Sequence, residues 1–359
     1  MYYYNKRFIL GFFCTILLFW QAVVEAAPIY QKNGNRLYLD GMVIARRIIS
    51  KNDSVNGDKT RVRLNLHGET QITPTLYGYG RFERDFNAFE PENVEPSDYT
   101  RFAYAGLSQS QWGQLNYGRN DGIFSRSLYT VYMFPVNGGG TYKVDNFIMG
   151  KRGNGILTFQ HRDLFGAMPG LDVILKYQGK NDGGDRSIQN QNGNGYGVGL
   201  AYTVPNTKLE VSSAWGSAEH SDSQRQTYGQ KDKASGWIIG SRWQPGNWTL
   251  SGFYSETRNM QFINASKGFA NKAQTLEAAV RYRFQSGFHS VIGYRQSKAE
   301  EIKGVGDAYL LNDFLLLVSY PFNPNLKVSA EHRLNMLKKD NALALASDDV
   351  TWLTITFNF

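Results

Sequence analysis

From residue 36 onward, segments of about ten residues alternate apolar and polar positions, and residues that favour turns follow each segment. In 61–67, for example, Val62, Leu64 and Leu66 fall on one side of an extended chain, and the polar residues between them fall on the other. The last eleven residues, 349–359, repeat the pattern. A period of two is typical of strands with one apolar face, so the sequence predicts an all-β fold.

Sixteen such segments occur, and the connections between them alternate between short and long. The strands are predicted at 36–48, 61–70, 75–86, 99–108, 111–118, 150–161, 171–179, 195–204, 207–217, 235–244, 247–258, 273–285, 287–297, 311–321, 325–335 and 349–359. Short turns include 71–74, 109–110, 205–206, 245–246 and 285–286, whereas 49–60, 87–98, 119–149, 180–194, 218–234, 259–272, 298–310 and 336–348 are long. This alternation is typical of an outer-membrane barrel, whose two rims face different surroundings.

The polar faces of these strands distinguish a barrel from a soluble sandwich. They include the charged residues Arg61, Arg63, Glu69, Arg81, Glu83 and Arg101. Isolated charges cannot sit in the dry core of a sandwich, but they can line a water-filled lumen. The apolar faces then meet lipid, which requires a closed sheet because no unpaired edge is stable in hydrocarbon. The prediction is a 16-stranded antiparallel transmembrane β-barrel.

The N-terminus indicates export. Lys6 and Arg7 precede an apolar run over 8–24, and Val24-Glu25-Ala26 resembles a signal-peptidase site. We expect a cleaved signal peptide at 1–26 and a barrel at 27–359; the alternative is an uncleaved membrane anchor. The only cysteine, Cys14, lies in the signal, so the mature chain would have no disulfide. The formal charge of +8 would fall to +7, which suits lipid phosphates or anionic solutes better than nucleic acid.

The segment from Tyr117 to Arg152 has little strand pattern and is unusually long for a connection. It contains aromatic residues and the tip Pro135-Val136-Asn137-Gly138-Gly139-Gly140-Thr141. No Gly-Lys-Ser/Thr ending is present, so a phosphate-binding P-loop is excluded, and the glycines at 193–199 lack dinucleotide-binding spacing. We predict that this loop folds inward and narrows the lumen.

Several motifs, taken in order, resemble those of the general diffusion porins of enterobacterial outer membranes over the whole mature length. They are Ala27-Pro28-Ile29-Tyr30, Gly68-Glu69-Thr70-Gln71, Ala105-Gly106-Leu107, Tyr117-Gly118-Arg119-Asn120, Arg152-Gly153-Asn154-Gly155, Tyr177-Gln178-Gly179-Lys180-Asn181, Gly268-Phe269-Ala270-Asn271-Lys272-Ala273-Gln274 and the terminal Phe359. The resemblance implies a homotrimer of barrels, each with its third outer loop folded into the lumen. It also implies a constriction between acidic loop residues and a basic wall.

Carried over by motif, the basic wall comprises Arg63, Arg101 and Arg152, with Arg61 added because it shares a face with Arg63. Met42 replaces one family lysine. On the loop, the two family acids at the tip correspond to Val136 and Gly140, next to Pro135 and Asn137, and a further acid corresponds to Tyr132. Glu83 remains as a lumen acid. Lys151 beside Arg152 resembles the phosphate-starvation porins, which prefer anions, so we expect an anion-preferring or weakly selective channel.

The same resemblance implies partners. The second outer loop would latch onto a neighbouring subunit through Glu90 or Glu92, with Arg119 among the trimer contacts. Phe359 resembles the signal that barrel-assembly machinery recognises, and basic loop residues are candidates for binding lipopolysaccharide. We expect no cofactor, no metal site and no nucleic-acid binding, since the five histidines lack metal-ligand spacing.

Two other functions remain open from the residues alone. One is a substrate-specific sugar or anion channel, although the arginine wall argues against sugar. The other is an outer-membrane hydrolase, which would need converging acid, His or Ser groups that the motifs do not indicate.

Overall fold

The computed structural model describes residues 28–359, except 138–140, 143–145, 185, 230–232 and 267. Within these residues, sixteen long antiparallel strands form one sheet. They are β1 (Asn35–Ser50), β2 (Arg61–Thr73), β3 (Leu76–Asn87), β4 (Tyr99–Gln109), β5 (Gly113–Asp121), β6 (Arg152–His161), β7 (Leu171–Gln178), β8 (Gly195–Thr203), β9 (Leu209–Ala218), β10 (Ala234–Trp243), β11 (Trp248–Arg258), β12 (Lys272–Arg283), β13 (His289–Ile302), β14 (Gly306–Pro321), β15 (Leu326–Asn335) and β16 (Val350–Asn358).

The sheet closes on itself. Each strand pairs with the next along the chain, and β1 pairs on one side with β2 and on the other with β16. At the seam, Gly41 and Phe359 exchange two backbone hydrogen bonds of 3.0 and 3.1 Å. The closed sixteen-stranded antiparallel barrel predicted from the sequence is therefore confirmed. The expected signal peptide and Cys14 lie outside the described residues.

The remaining elements are short. The strands are Pro28–Lys32 and Gly57–Asp58, which both pair with β1, and Phe262–Ile263 paired with Gly268–Phe269. The helices are α1 (Ser125–Leu128), α2 (Asp222–Tyr228) and three 3₁₀ turns at Tyr129–Val131, Asp163–Gly166 and Ile188–Asn190. Among the described helices, none has the length and apolar character needed to cross a membrane.

One rim of the barrel has shorter connections than the other, as predicted. The eight connections of the second rim are named L1 (51–60), L2 (88–98), L3 (122–151), L4 (179–194), L5 (219–233), L6 (259–271), L7 (303–305) and L8 (336–349). L7 corrects one expectation, because a long loop was predicted over 298–310. Instead β13 and β14 continue as a hairpin in which Lys298 pairs with Tyr309 and bonds Asp307 at 2.8 Å.

The two faces of the sheet differ sharply. On β16, Leu353, Ile355 and Phe357 are about half exposed, whereas Thr354 and Thr356 between them are buried. We call the face with the exposed apolar side chains the outer face and the opposite one the inner face. The outer face therefore presents the apolar surface that a lipid-spanning barrel requires.

L3 packs against the inner face, and glycines make the room for it. Ile123, Phe124 and Met149 of L3 are buried in one cluster with side chains of β7, β9, β10 and β11. A Cβ added at Gly216 on β9 would lie 2.9 Å from Met149, and one at Gly293 on β13 would lie 2.6 Å from an L3 ring. Glycines on the facing strands thus let the loop lie flush on the wall, which supports its predicted inward course.

A cluster of aromatic rings joins L3, L5 and L6 near the rim. His220 of L5 lies between Phe147 of L3, at 5.0 Å between ring centroids, and Phe269 of L6, at 4.6 Å. Helix α2 follows directly and begins with a capping box between Ser221 and Gln224. Burial lowers the pKa of His220 to about 4 from its ordinary value near 6.5, since the charged imidazole loses its hydration.

Acid should weaken this three-loop cluster. Because the pKa of His220 is lower in the folded state, unfolding takes up a proton, so stability falls as pH drops from about 6.5 to about 4. The loss is at most about 3 kcal/mol, from 1.36 kcal/mol per pKa unit. We expect protease cleavage in L5 to accelerate over this range, and His220→Phe, which keeps the ring but cannot titrate, to flatten the dependence.

His67→Phe is the matched control, since His67 lies elsewhere in the barrel, stacked on Tyr38. An unchanged acid dependence in His220→Phe would show that another group controls the cluster.

Candidate functional site

Charged side chains converge on the inner face of β2, β3 and β4. Asp85 is fully buried and lies at the centre, where Arg63 binds it through two nitrogens at 2.5 and 2.9 Å. Arg61 approaches the same carboxylate at 3.4 Å, and the Tyr99 hydroxyl donates to it at 2.8 Å. One carboxylate thus orients two of the predicted wall arginines.

Glu83 is the second acid of this cluster. It accepts from Arg81 at 2.6 Å and from Arg101, and Arg63 lies 3.6 Å away. Arg101 reaches it through a β-bulge: Glu83 lies opposite Phe102 and the next residue of β3 opposite Thr100, so Arg101 has no opposite residue. A bulge re-aims a side chain, which explains how adjacent residues of β4 both serve the inner face.

The Phe102 ring lies among the guanidinium groups. Its centroid is 4.5 Å from Arg81, 5.8 Å from Arg152 and 6.0 Å from Arg101, measured to each guanidinium carbon. An aromatic face attracts cations, so this buried ring offsets part of the repulsion between the arginines. The contact of Phe102 with the arginines was not predicted, because an apolar residue in a strand is expected to pack against other apolar side chains.

The cluster retains a positive excess. Arg61, Arg63, Arg81 and Arg101 face Glu83 and Asp85, four cations against two anions. Asp85 was missed in the sequence prediction. The signal was available, since it lies two residues after Glu83 in a predicted strand and two-residue spacing places both on one face.

Arg152 and Lys151 lie at the junction of L3 and β6, away from these carboxylates. Nε and Nη1 of Arg152 are buried without a hydrogen-bond partner in the described part of the chain. Lys151 is buried, with its ammonium 4.7 Å from the ring centroid of Tyr132, which is itself 44% exposed. The predicted tyrosine at a family acid position thus contacts a cation through its ring.

The tip of L3 is held by charged residues of the far wall. Glu331 on β15 accepts from the backbone N–H of Val136 at 3.1 Å and of Asn137 at 3.2 Å. Arg295 on β13 donates to the Asn137 carbonyl at 2.8 Å and pairs with Asp313 at 2.7 Å. Pro135 is half-buried beside them. Gly140, the remaining predicted tip residue, lies outside the described residues.

The predicted trimer residues occupy the outer face and L2. Arg119 follows the exposed Tyr117 on the outer side of β5, and donates to the Thr100 carbonyl at 2.7 Å and to Asn154. Glu90 accepts from the Ser97 backbone at 2.8 Å, and Glu92 is exposed. The intersubunit role of Arg119, Glu90 and Glu92 stays a prediction.

The described residues contain no group of three or more His, Cys, Asp or Glu side chains placed to hold a metal ion.

A closed barrel with an apolar outside and a charged inner face defines the class of membrane-spanning channel proteins. The family described as Gram-negative porin matches residues 32–359, and the chain belongs to this family. It is 40% identical over 339 residues to outer membrane porin PhoE of Klebsiella oxytoca, covering 94% of this chain and 95% of the relative.

Other relatives agree. Outer membrane porin F of Escherichia coli K12 is 34% identical over 367 residues, covering 99% of each chain. A solved structure of Salmonella typhi OmpF in complex with daunomycin superposes with a TM-score of 0.85 at 33% identity, covering 93% of this chain and all of that one. The protein is therefore an outer-membrane porin, a diffusion channel of the Gram-negative outer membrane.

Replacing Asp85 should make the channel more attractive to anions. Asp85→Asn removes one of two acids facing four arginines, and a unit charge acting about 8 Å away in water is worth about 0.5 kcal/mol. We expect the anion-to-cation permeability ratio, from reversal potentials in a salt gradient, to rise about twofold. Asp182→Asn, in L4, removes an equal charge outside the cluster and should leave the ratio unchanged; equal shifts in both variants would contradict the assignment.

Replacing Glu331 should loosen the tip of L3. Glu331→Gln keeps the volume but puts an amide donor where the carboxylate accepts from backbone N–H groups, which costs about 1–3 kcal/mol. We expect open-channel current noise to rise and thermal stability to fall. Glu69→Gln, which breaks an Arg36 contact of 3.0 Å at the opposite rim, is the control and should not increase the noise.

Proposed function

We propose that this porin passes small hydrophilic solutes and ions, and that it prefers anions. The observation that supports this most directly is the excess of arginine over carboxylate in the cluster on β2, β3 and β4. A ring of like charge at a narrow point raises the local concentration of counter-ions and repels co-ions.

Two further features favour anions. The L3 tip presents Val136 and Asn137 and no carboxylate of its own in its described part. Near the rim of short turns, Arg281 donates to Thr249 at 2.9 Å and lies close to Arg242 and Arg283, which adds a second positive region to the inner face. Similarity to relatives named PhoE is consistent with the preference.

We infer that L3 forms one side of the constriction. The loop contacts the inner face from β7 to β15, since Arg126 bonds Glu210 on β9 at 2.7 Å and its tip bonds Glu331 on β15. A segment that follows so many strands of a closed barrel along their inner face would take up part of the lumen and narrow it. The 135–137 tip would then face Arg61, Arg63, Arg101 and Arg152 across the water-filled gap. Lys151 and Tyr132, which contact each other, would lie together at the base of the loop.

The assembly is proposed to be a homotrimer. Arg47, Arg84 and Arg119 lie on the outer face of β1, β3 and β5. A basic side chain facing lipid costs up to about 2–4 kcal/mol near the bilayer centre, so this side of the barrel is better suited to a neighbouring subunit. L2, with Glu90 and Glu92, adjoins the same strands and would supply acidic contacts to the neighbour.

The remaining expectations concern delivery and surroundings. We propose that residues 1–26 are removed on export, that barrel-assembly machinery engages Phe359, and that Lys and Arg of the outer loops contact lipopolysaccharide phosphates. The exposed Lys303 in L7 and Lys233 in L5 are available for this role.

Reversal potentials in planar bilayers test the main proposal. With purified protein in a potassium chloride gradient, we expect the potential to have the sign set by chloride, because the excess of arginine favours the anion. The measurement requires no variant, and Arg63→Gln with Arg101→Gln should bring the permeability ratio towards that of free diffusion. A potential with the sign set by potassium in the unmodified protein would contradict anion preference.

A further inference from the structure

A cavity of about 300 Å³ lies beside the tip of L3, between L1, L2, β1 and β16. Its walls differ chemically. One side carries the cations Arg46, Lys59 and Arg61. The other side is apolar and is formed mainly by Ile48, Val136 and Trp352. No carboxylate lines the cavity among the described residues. Its volume is at the lower end of the range of small-molecule sites.

The cations are held in place by the wall. Arg46 is 7% exposed, and its Nε donates to the Thr354 hydroxyl at 3.3 Å. Lys59 is fixed through its backbone N–H, which donates to the Arg46 carbonyl at 2.8 Å, and its ammonium lies 4.0 Å from the ring centroid of Phe89. These residues therefore present positive charge without needing to order long flexible side chains on binding.

Arg61 connects the cavity to the constriction. Its Nη1 is 3.4 Å from Asp85, which partly neutralises it, but its Nε is buried without a hydrogen-bond partner in the described part of the chain. An unpaired buried donor is costly, so an acceptor at this position would be favourable. Of the three cations, only Arg61 has a carboxylate within 4 Å among the described residues.

The apolar wall depends on Val136. Its side chain packs against Ile48, Val350 and Trp352, and its backbone is held by Glu331 at 3.1 Å. A carboxylate at this position would place a negative charge against the three cations and remove the apolar surface. Valine therefore changes both the charge and the polarity of the cavity.

We propose that this cavity transiently retains anions that carry an apolar group, namely aryl or short alkyl phosphates and carboxylates, as they approach the constriction. The inference rests on the proposed anion-preferring channel and specifies one class of its solutes. The cations hold the anionic group, and Ile48, Val136 and Trp352 cover the apolar group, which gains from leaving water. An inorganic anion of equal charge gains only the first contribution.

Phenylphosphate and inorganic phosphate, compared at about pH 8 where both are largely dianionic, provide the test. Each is added on the loop side of single channels of the full-length mature protein in a planar bilayer. We expect phenylphosphate to reduce the current at a concentration about fivefold lower than inorganic phosphate does. Equal half-blocking concentrations would overturn the inference.

Two variants separate the two contributions. Val136→Thr keeps the shape and should reduce the advantage of phenylphosphate about threefold with no effect on inorganic phosphate. Lys59→Gln should weaken block by both anions. The matched controls are Val94→Thr, at an exposed valine of L2, and Lys303→Gln, at an exposed lysine of L7, and neither should change the block. An unchanged phenylphosphate advantage in Val136→Thr would also overturn the inference.

The failure of this inference differs from that of the proposed function. An anion-selective reversal potential with equal block by the two phosphates rejects the cavity and keeps the anion preference. A cation-selective potential with stronger, Val136-dependent block by phenylphosphate rejects the anion preference of the pore, and the cavity assignment survives as a binding site.

Discussion

The structure depends on pairing every backbone N–H and C=O in a region that has no water to replace them. The seam between β1 and β16 meets this requirement: Met42 to Ser50 pair with Asn358 to Val350, and Gly41 and Phe359 complete the ladder. In hydrocarbon each unpaired group costs several kcal/mol, so a sheet with two free edges would not be stable. Closure therefore comes first, and the lumen is its geometric consequence.

Closure of the barrel also determines which side chains the inner face can carry. A sixteen-stranded barrel is too wide for its own side chains to fill, so charged groups on the inner face can either reach water or pair with one another, as Arg63 does with the buried Asp85. L3 packs against the inner face, and it can do so because the facing strands carry glycine at Gly216 and Gly293, where an added Cβ would lie 2.9 and 2.6 Å from atoms of the loop. Buried polar contacts to Ser212, Glu277 and Glu331 then hold the loop along its length.

Much of the fold was predictable because one physical rule governs it. Lipid outside and water inside impose a period of two, so sixteen strands and their order follow from alternation alone. The wrong prediction of a long L7 arose where the alternation of apolar and polar residues stops. At the end of the barrel that carries the long loops, the β13–β14 hairpin continues with polar residues such as Lys298 and Asp307. A run of polar residues without apolar alternation predicts a loop, so the sequence did not indicate this part of the hairpin.

The charged inner face was only partly predictable. Arg61, Arg63, Arg101 and Glu83 were predicted from spacing and from family motifs. The bulge that lets Arg101 reach the inner face could not be predicted from spacing. Arg46 was missed because it lies between the inward-facing Ile44 and Ile48, in a segment that is mainly apolar.

The residue at position 136 sets both the charge and the polarity of the region around the L3 tip. The cluster on β2, β3 and β4 is already positive by two charges, so an acid at the L3 tip would act mainly to neutralise it. Valine leaves that excess unopposed and packs with Trp352, bringing apolar surface next to Arg46 and Arg61. In water this juxtaposition would be weak, because each guanidinium is fully hydrated. In a narrow wall of low dielectric, the same charges act over a longer range and the apolar patch excludes competing water, so the two features strengthen each other.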